Sequence, residues 1–491
     1  MEQYDVAIVG AGLLGCFAAR ELSRYKLRIL VLEQREDVCT GISKANTGIV
    51  YAGYDTKPGT LKTELCLRAN RDFDRLCREL GVHFVRRGSL MIACGPNADN
   101  TLRAKYAQGM ENGVPGLELL TAEQVLQREP NLCTQVTGGL YAPTTGVVNP
   151  WELGIAAFEN ARANGAEFHF CEMLLRMTRQ HDAFTLDTDR AQYRCRAVIN
   201  CAGLAADGVR EMLYKPKLRL FPSAADYLVL DDTAGDFLRH VVFHEPENGG
   251  KGLTLVPTAD GNLLAGPTEH HWDGRPGMGT AAQGLEELRR LCTEIVPGLD
   301  LSQTIRNFGS LRPRPYGVYE ENGRLQKTEH SISTFSILEE DGLFSLIGIK
   351  TPGLTCAREL GLHITNKILA HLGTSEQNPH FDPIRKPILR PRAMDEEQRS
   401  ACILSDSTYG RVLCRCRQVT EGEVLEAIRR GAVTVDGVKR RTDAGLGRCQ
   451  GSYCAQAITE ILAQELSISP ADITKDGKDT VVFYGRQQKK S

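Results

Sequence analysis

Residues 4–33 read YDVAIVGAGLLGCFAARELSRYKLRILVLE, and the reading of the whole chain turns on them. An apolar run at 6–9 leads into Gly10-x-Gly12-x-x-Gly15; a helical pattern follows, and a second apolar run at 29–32 ends on Glu33. This is the strand–turn–helix–strand unit that holds an ADP moiety. Gly10 allows the tight turn, Gly12 lets the backbone approach a pyrophosphate, and Gly15 lets the helix pack close to the strand. Glu33 stands where an acid accepts ribose hydroxyls and disfavours a 2′-phosphate. Three glycines alone are a weak sign, but both flanking strands and the terminal acid are in place. At this stage NAD and FAD fit equally.

At 491 residues the chain has the length of about three domains. A formal net charge of −2 gives no general drive toward nucleic acid or an anionic membrane surface. No apolar run approaches the roughly 18 residues of a membrane span. The first residues lead directly into a strand, so no signal peptide is expected. Sixteen cysteines suit a reduced compartment, so a cytoplasmic location is expected.

Residues 35–54 are rich in Gly, Ser, Thr and Asn and read as a ligand-presenting loop. Leu61, Leu65, Phe73, Leu76 and Leu80 recur at helical spacing before Gly81, a C-terminal stop. Short strands are expected within 82–93, broken at Arg87-Gly88. A capped helix is expected over 121–128, a helix opened by Pro150, and a buried strand at 197–203. Strands dominate 221–268, a helix covers 284–295, and a buried strand at 344–349 breaks at Lys350-Thr351-Pro352-Gly353. Pro379, Pro383, Pro387 and Pro391, interspersed with charges, mark a linker.

The second motif is Cys414-x-Cys416, then 32 residues, then Cys449-x4-Cys454. Four thiolates in two close pairs suit zinc or a 2Fe–2S cluster, although zinc sites favour gaps of two to four residues in both pairs. The Gly-rich turn at 445–451 lets backbone N–H groups reach sulfur.

The first glycine unit, the strand end at 199–203 and the one at 346–353 are widely separated, implying a nucleotide domain interrupted by insertions. Over about residues 4–372 the chain resembles FAD-dependent oxidoreductases of the D-amino-acid-oxidase-like superfamily. The closest branch is that of glycerol-3-phosphate dehydrogenases and oxidases and L-2-hydroxyglutarate dehydrogenases. The resemblance rests on the glycine motif with Glu33, on SKANTG at 43–48, on Asn200-x-Ala202-Gly203, on Pro257-Thr258-x-x-Gly261-Asn262 with Gly266-Pro267-Thr268, and on GIKTPGLT at 348–355. It implies an α/β fold: a Rossmann-like FAD-binding domain (1–85, 146–215 and 336–373) interrupted by a mixed-sheet α+β substrate domain (86–145 and 216–335). A linker (374–409), a small helical iron–sulfur domain (410–466) and a tail (467–491) complete the expected organisation.

The FAD contacts so implied are Gly10, Gly12, Leu14, Gly15, Glu33, Gln34, Thr40, Ser43, Lys44, Asn46, Thr47, Gly48, Ala202, Gly203, Gly348, Thr351, Gly353, Leu354 and Thr355. The loop at 40–48 wraps the ribityl and pyrophosphate portion. Residues 351–355 place the positive end of a helix dipole at the pyrimidine edge, where reduced flavin becomes anionic. Lys251 and Arg312 match positions where the glycerol-phosphate branch gathers charge for its substrate anion, although either alone reads as a solvated surface cation. Tyr51 stands where the family pattern has the His expected to take the hydroxyl proton, and a phenol is a poor base unless a cation lowers its pKa. Either Lys350 or Lys251 tunes Tyr51, another residue such as His244 supplies the base, or the substrate differs. The C-terminal motif resembles the bacterioferritin-associated-ferredoxin-like 2Fe–2S domain, with Cys414, Cys416, Cys449 and Cys454 as ligands.

The expected activity is oxidation of a small anionic alcohol, electrons leaving through the cluster to a partner flavoprotein or other acceptor in a hetero-oligomer. A 2-hydroxy-acid or amino-acid dehydrogenase on the same scaffold is the second reading. A non-catalytic electron-transfer subunit is the third.

Overall fold

The computed structural model describes residues 2–248, 252–272, 274 and 278–483. Two compact units are formed, one of 1–34 and 38–385, the other of 35–37 and 386–491.

The first strand, Glu2–Val9, lies at the centre of an eight-stranded sheet. It pairs in parallel with Ile29–Leu32 on one side and with Gln192–Asn200 on the other, and Leu343–Ile347 runs parallel beyond that. Glu167–His169 closes the other edge, and antiparallel strands flank the parallel core. Val6 and Ile8 enter one hydrophobic core, while Ala7 and Val9 enter the core on the opposite face. A strand buried on both faces needs a continuous apolar run, which is what residues 6–9 and 29–32 supply. The helices Leu13–Leu22, Pro150–Ala163 and Ala357–Leu372 cover the first of these faces with Phe17, Phe158 and Leu360.

The helix Leu61–Leu80 bears out the apolar spacing: Thr60 caps its N-terminus by accepting from Thr63 N–H, and Gly81 ends it at φ 62°. The expected helix at 121–128 forms as Ala122–Arg128, with the Thr121/Gln124 capping box in place. Phe84–Arg86 and Ser89–Ala93 are both strands but join different sheets. The second of them belongs to a nine-stranded sheet whose strands come from 89–142 and 223–312. Helix Ala282–Ile295 packs on one face of it through Leu288 and Ile295. Helix Pro96–Glu111, which the apolar spacing does not announce, packs on the other.

The proline-rich stretch divides between the units: residues through Arg385 belong to the first and those from Lys386 to the second, and the expected linker, 374–409, carries a helix, Glu396–Ser405. The second unit packs helices Glu421–Arg429, Val435–Thr442 and Ala455–Leu466 around Val424, Ile458 and Leu462. The Thr420/Glu423 capping box opens the first of them. Among the described residues no helix is long and apolar enough to cross a membrane.

Candidate active site and cluster site

The glycine turn has the geometry that its spacing predicts. Gly10 adopts φ 99°, and a Cβ there would come within 2.6 Å of Cys201 O. A Cβ on Gly15 would lie 1.9 Å from Gly10 O, so the helix is seated against the strand end as only glycine permits. A Cβ on Gly12 would meet only Ser43 Oγ, at 3.5 Å, which leaves the space above the helix N-terminus for a ligand. Glu33 Oε2 accepts the Ala11 N–H at 2.8 Å, placing the acid beside the turn. Ser43 Oγ accepts the Leu13 N–H at 3.1 Å, while Asn46 Oδ1 accepts from Gly48 N at 2.9 Å. Gly48 (φ 71°), Gly203 (φ 61°) and Gly348 (φ 67°) each turn the chain in the left-handed region. Asn200 holds the second strand end, its Oδ1 accepting from Ala202 N and its Nδ2 donating to Ala206 O. Thr40 and Leu354 are buried; Lys44, Leu14 and Gly353 are half-buried; Gln34 and Thr351 are exposed.

The expected flavin loop and the 349–355 loop meet at Tyr51. Thr355 Oγ1 accepts the Tyr51 N–H at 3.0 Å and donates to Ile49 O at 3.4 Å. Asn70 Nδ2 donates to Tyr51 O at 3.0 Å, and the Cys66 thiol approaches the same oxygen at 3.6 Å. The ring stacks on Phe243 with centroids 6.1 Å apart. Burial pushes the phenol up to about 12; Arg312 and a hydrogen bond with Thr47 pull the other way, and burial wins. Tyr51 is therefore a poor proton acceptor near neutrality.

Arg312 ends the strand Thr304–Arg312, opposite Ser223. Its Nη1 donates to Glu269 Oε2 at 3.2 Å, while Arg314 Nη1 reaches Glu269 Oε1 at 3.1 Å. Ser223 Oγ donates to that same Oε1 at 2.9 Å. Lys350 stands in the field of these groups. Burial first, then Arg314, Lys62 and Arg312, brings its ammonium down to about 8. Arg314, Glu269 and Lys62 had no motif to announce them.

Lys251 lies outside the described residues. His244, the other suggested base, follows Phe243 on the strand Val241–Glu245 and so faces the opposite side of the sheet. Its neighbour Val242 enters the core under helix Ala282–Ile295, and Glu294 of that helix is the carboxylate acting on it. The sheet carries His244 away from Tyr51.

In the second unit the four expected cysteines come together as two pairs. Cys416 Sγ lies 3.4 Å from Cys449 Sγ, and Cys414 hydrogen-bonds Cys454. That bond, with backbone N–H groups of Gly445, Arg417 and Cys416, brings Cys414 down to about 6 against the effect of burial. Cys414 and Cys454 sit in the core of the unit, Cys416 is exposed and Cys449 half-buried. Among the described residues no three His, Cys, Asp or Glu side chains converge on one point as a single ion requires. Two thiolates on each of two irons is the donor arrangement of a 2Fe–2S cluster, and paired thiols with N–H donors around sulfur fit it.

Comparison with known proteins finds a family match over each of the two stretches. The family of FAD dependent oxidoreductases matches residues 5–367, and the BFD-like [2Fe-2S] binding domain matches 412–464. The chain is 37% identical over 484 residues to a glycerol 3-phosphate dehydrogenase of Caloramator mitchellensis, covering 98% of both. It is 24% identical over 419 residues to an L-2-hydroxyglutarate dehydrogenase of Escherichia coli K12, covering 77% of this chain and 95% of the relative. Among solved structures, the FAD-bound L-alpha-glycerophosphate oxidase of Mycoplasma pneumoniae superposes with a TM-score of 0.70 at 22% identity, over 78% of this chain and 99% of that one. The glycine turn, the loops that meet at Tyr51 and the paired cysteines thus lie in a chain that belongs to the FAD dependent oxidoreductase family, an FAD-dependent enzyme with a C-terminal 2Fe–2S domain.

Proposed function

We propose that this enzyme oxidises a small anionic secondary alcohol of the glycerol 3-phosphate type and delivers the electrons, through its 2Fe–2S domain, to a protein acceptor. The reading rests on the group of cations (Arg312, Arg314 and Lys350) gathered about Glu269 beside Tyr51. Its full-length relative, a glycerol 3-phosphate dehydrogenase, points the same way.

Bound FAD supplies a hydride acceptor. Glycines 10, 12 and 15 with Glu33 hold its ADP end. The loop at 40–48 and residues 348–355 hold the ribityl chain and ring. Arg312, assisted by Arg314, takes the substrate anion in the fork geometry that guanidinium offers. Tyr51, pushed up to about 12, keeps its proton and shapes the pocket. Lys350, brought down to about 8, has a substantial neutral fraction at mildly alkaline pH and accepts the hydroxyl proton at Nζ. Cys414, Cys416, Cys449 and Cys454 hold the cluster, which supplies single-electron transfer. A cytoplasmic location suits a chain with sixteen cysteines.

Arg312 grips a carboxylate as well as a phosphate, so a 2-hydroxy acid such as L-2-hydroxyglutarate is the second reading. The test is anaerobic bleaching of the flavin band by glycerol 3-phosphate, L-2-hydroxyglutarate, glycine and proline at equal concentration. Fastest bleaching by glycerol 3-phosphate supports the first reading; bleaching by the hydroxy acid alone selects the second. No bleaching by any of the four sinks both.

A further inference from the structure

Helix Leu61–Leu80 carries a cation in its first turn, Lys62, two residues after the Thr60 cap. Positive charge there opposes the helix dipole. One turn and two turns further along the same face stand Cys66 and Asn70, the residues that reach Tyr51 O. Lys62 thus continues the row that lines the Tyr51 site.

It also lines a polar cavity of about 340 Å³ whose other walls include Asp55, Lys57, Thr60, Lys105 and Gln108. Charge in this cavity is unevenly matched. Lys105 is answered by Asp55 at 2.9 Å and Glu245 at 3.6 Å. Lys62, half-buried, donates to a neutral acceptor, Ser333 O, at 3.2 Å and lies 5.6 Å from the Phe335 ring centre. Among the described residues it has no carboxylate within ion-pair distance. Lys62 acts on Lys350, and Arg312 and Arg314, with Glu269 between them, act on that same ammonium. A half-buried ammonium with no ion-paired carboxylate among the described residues, and with the carboxylate that acts on it, Asp55, already held by Lys105, carries a standing cost that an incoming anion removes.

We infer that the cavity is the substrate's entrance and that Lys62 is a substrate-binding residue, receiving the phosphate or carboxylate of the substrate where the cavity opens onto the Tyr51 site. The inference rests on the reading of an anionic alcohol substrate given above.

The test uses FAD-loaded, full-length enzyme and two substitutions, Lys62→Gln and Lys62→Arg. Inorganic phosphate, which is not oxidised, is titrated against the visible spectrum of the bound flavin. Its dissociation constant should rise about tenfold or more in Lys62→Gln and return toward the wild-type value in Lys62→Arg. With glycerol 3-phosphate, KM should rise to a similar degree while kcat stays within about twofold, and the salt dependence of kcat/KM should flatten. Flavin content and Tm should hold in both variants, because glutamine is no worse than lysine at this helix position. Unchanged phosphate binding in Lys62→Gln overturns the inference, as does a lower Tm with KM untouched, which would make Lys62 a strut for Ser333. The phosphate titration needs no turnover, so it decides the role of Lys62 even if glycerol 3-phosphate fails to bleach the flavin.

Discussion

Arg312 and Glu269 face each other across 3.2 Å beside Tyr51, and Arg314 takes the other oxygen of the same carboxylate. Both side chains of the Arg312 pair keep about a quarter of their exposure, so the contact itself stabilises the fold only slightly. Its consequence lies in binding, because an incoming anion meets two guanidinium groups already turned toward one negative charge. Glu269→Gln removes the competing charge and keeps the shape. KM for the anionic substrate should fall about threefold or more, read by steady-state kinetics at fixed ionic strength. A rise in KM would show that Glu269 is needed to aim Arg312.

The same carboxylate raises the proton affinity of Lys350, against burial and three cations. If neutral Lys350 accepts the hydroxyl proton, kcat/KM, which reports the free enzyme, rises with unit slope as pH approaches about 8 and levels off above it. Glu269→Gln should move that limb to lower pH. Lys350→Met should abolish the limb and leave low, pH-independent activity with flavin content intact. A profile that instead falls through pH 8 would mean that the protonated ammonium is the working form.

Arg312→Lys preserves charge but loses the fork. A hydrogen bond to a charged group contributes about 1.5–3 kcal/mol, so the loss of one should raise KM roughly tenfold or more with FAD content unchanged. Loss of flavin or of cooperative unfolding in this variant would reassign Arg312 to the fold.

Much of this was legible in the sequence, and the parts that were not share a cause. Residues 6–9 and 29–32 declare a strand buried on both faces because nothing polar interrupts them, and Val6/Ile8 and Ala7/Val9 do divide between two cores. Leu61–Leu80 is legible because its stop and its apolar stripe agree. Pro96–Glu111 is not, since only Ala98, Leu102 and Gly109 are buried and no stripe forms. Phe84–Arg86 and Ser89–Ala93 are readable as strands, but their partners lie far away in sequence, and pairing is a non-local choice. The same holds for the site. Glycine motifs act locally and announce themselves, whereas Glu269, Arg314 and Lys62 are single charges that only the folded sheet and helix bring together around Lys350. His244 illustrates the reverse: strand parity sends it away once Phe243 is known to face Tyr51.

Gly15→Ala tests the nucleotide turn. The added Cβ would stand 1.9 Å from a backbone oxygen that has no freedom to retreat, so helix and strand must separate. Overpacking of this kind costs about 1–3 kcal/mol, and the displaced N-terminus would misdirect its N–H groups. Flavin per chain after desalting should drop well below that of the wild type, with Tm lowered. Full flavin occupancy would mean that the ADP moiety is held elsewhere.

Cys449→Ser separates the two redox sites. Cys449 and Cys416 form the solvent-side thiol pair of the second unit, while Cys414 and Cys454 are anchored in its core. Losing one outer thiolate should cost the cluster but not the fold of the unit, whose helices pack through Val424, Ile458 and Leu462. The flavin unit has its own core and should not be affected. Iron per chain and the EPR signal of the reduced cluster should therefore disappear, while anaerobic bleaching of the flavin by substrate keeps its rate. On the proposed route, in which flavin electrons leave singly through the cluster, their transfer to a one-electron protein acceptor should collapse. Stoichiometric zinc without iron in anaerobically purified wild-type enzyme would overturn the relay, as would unimpaired transfer in the serine variant.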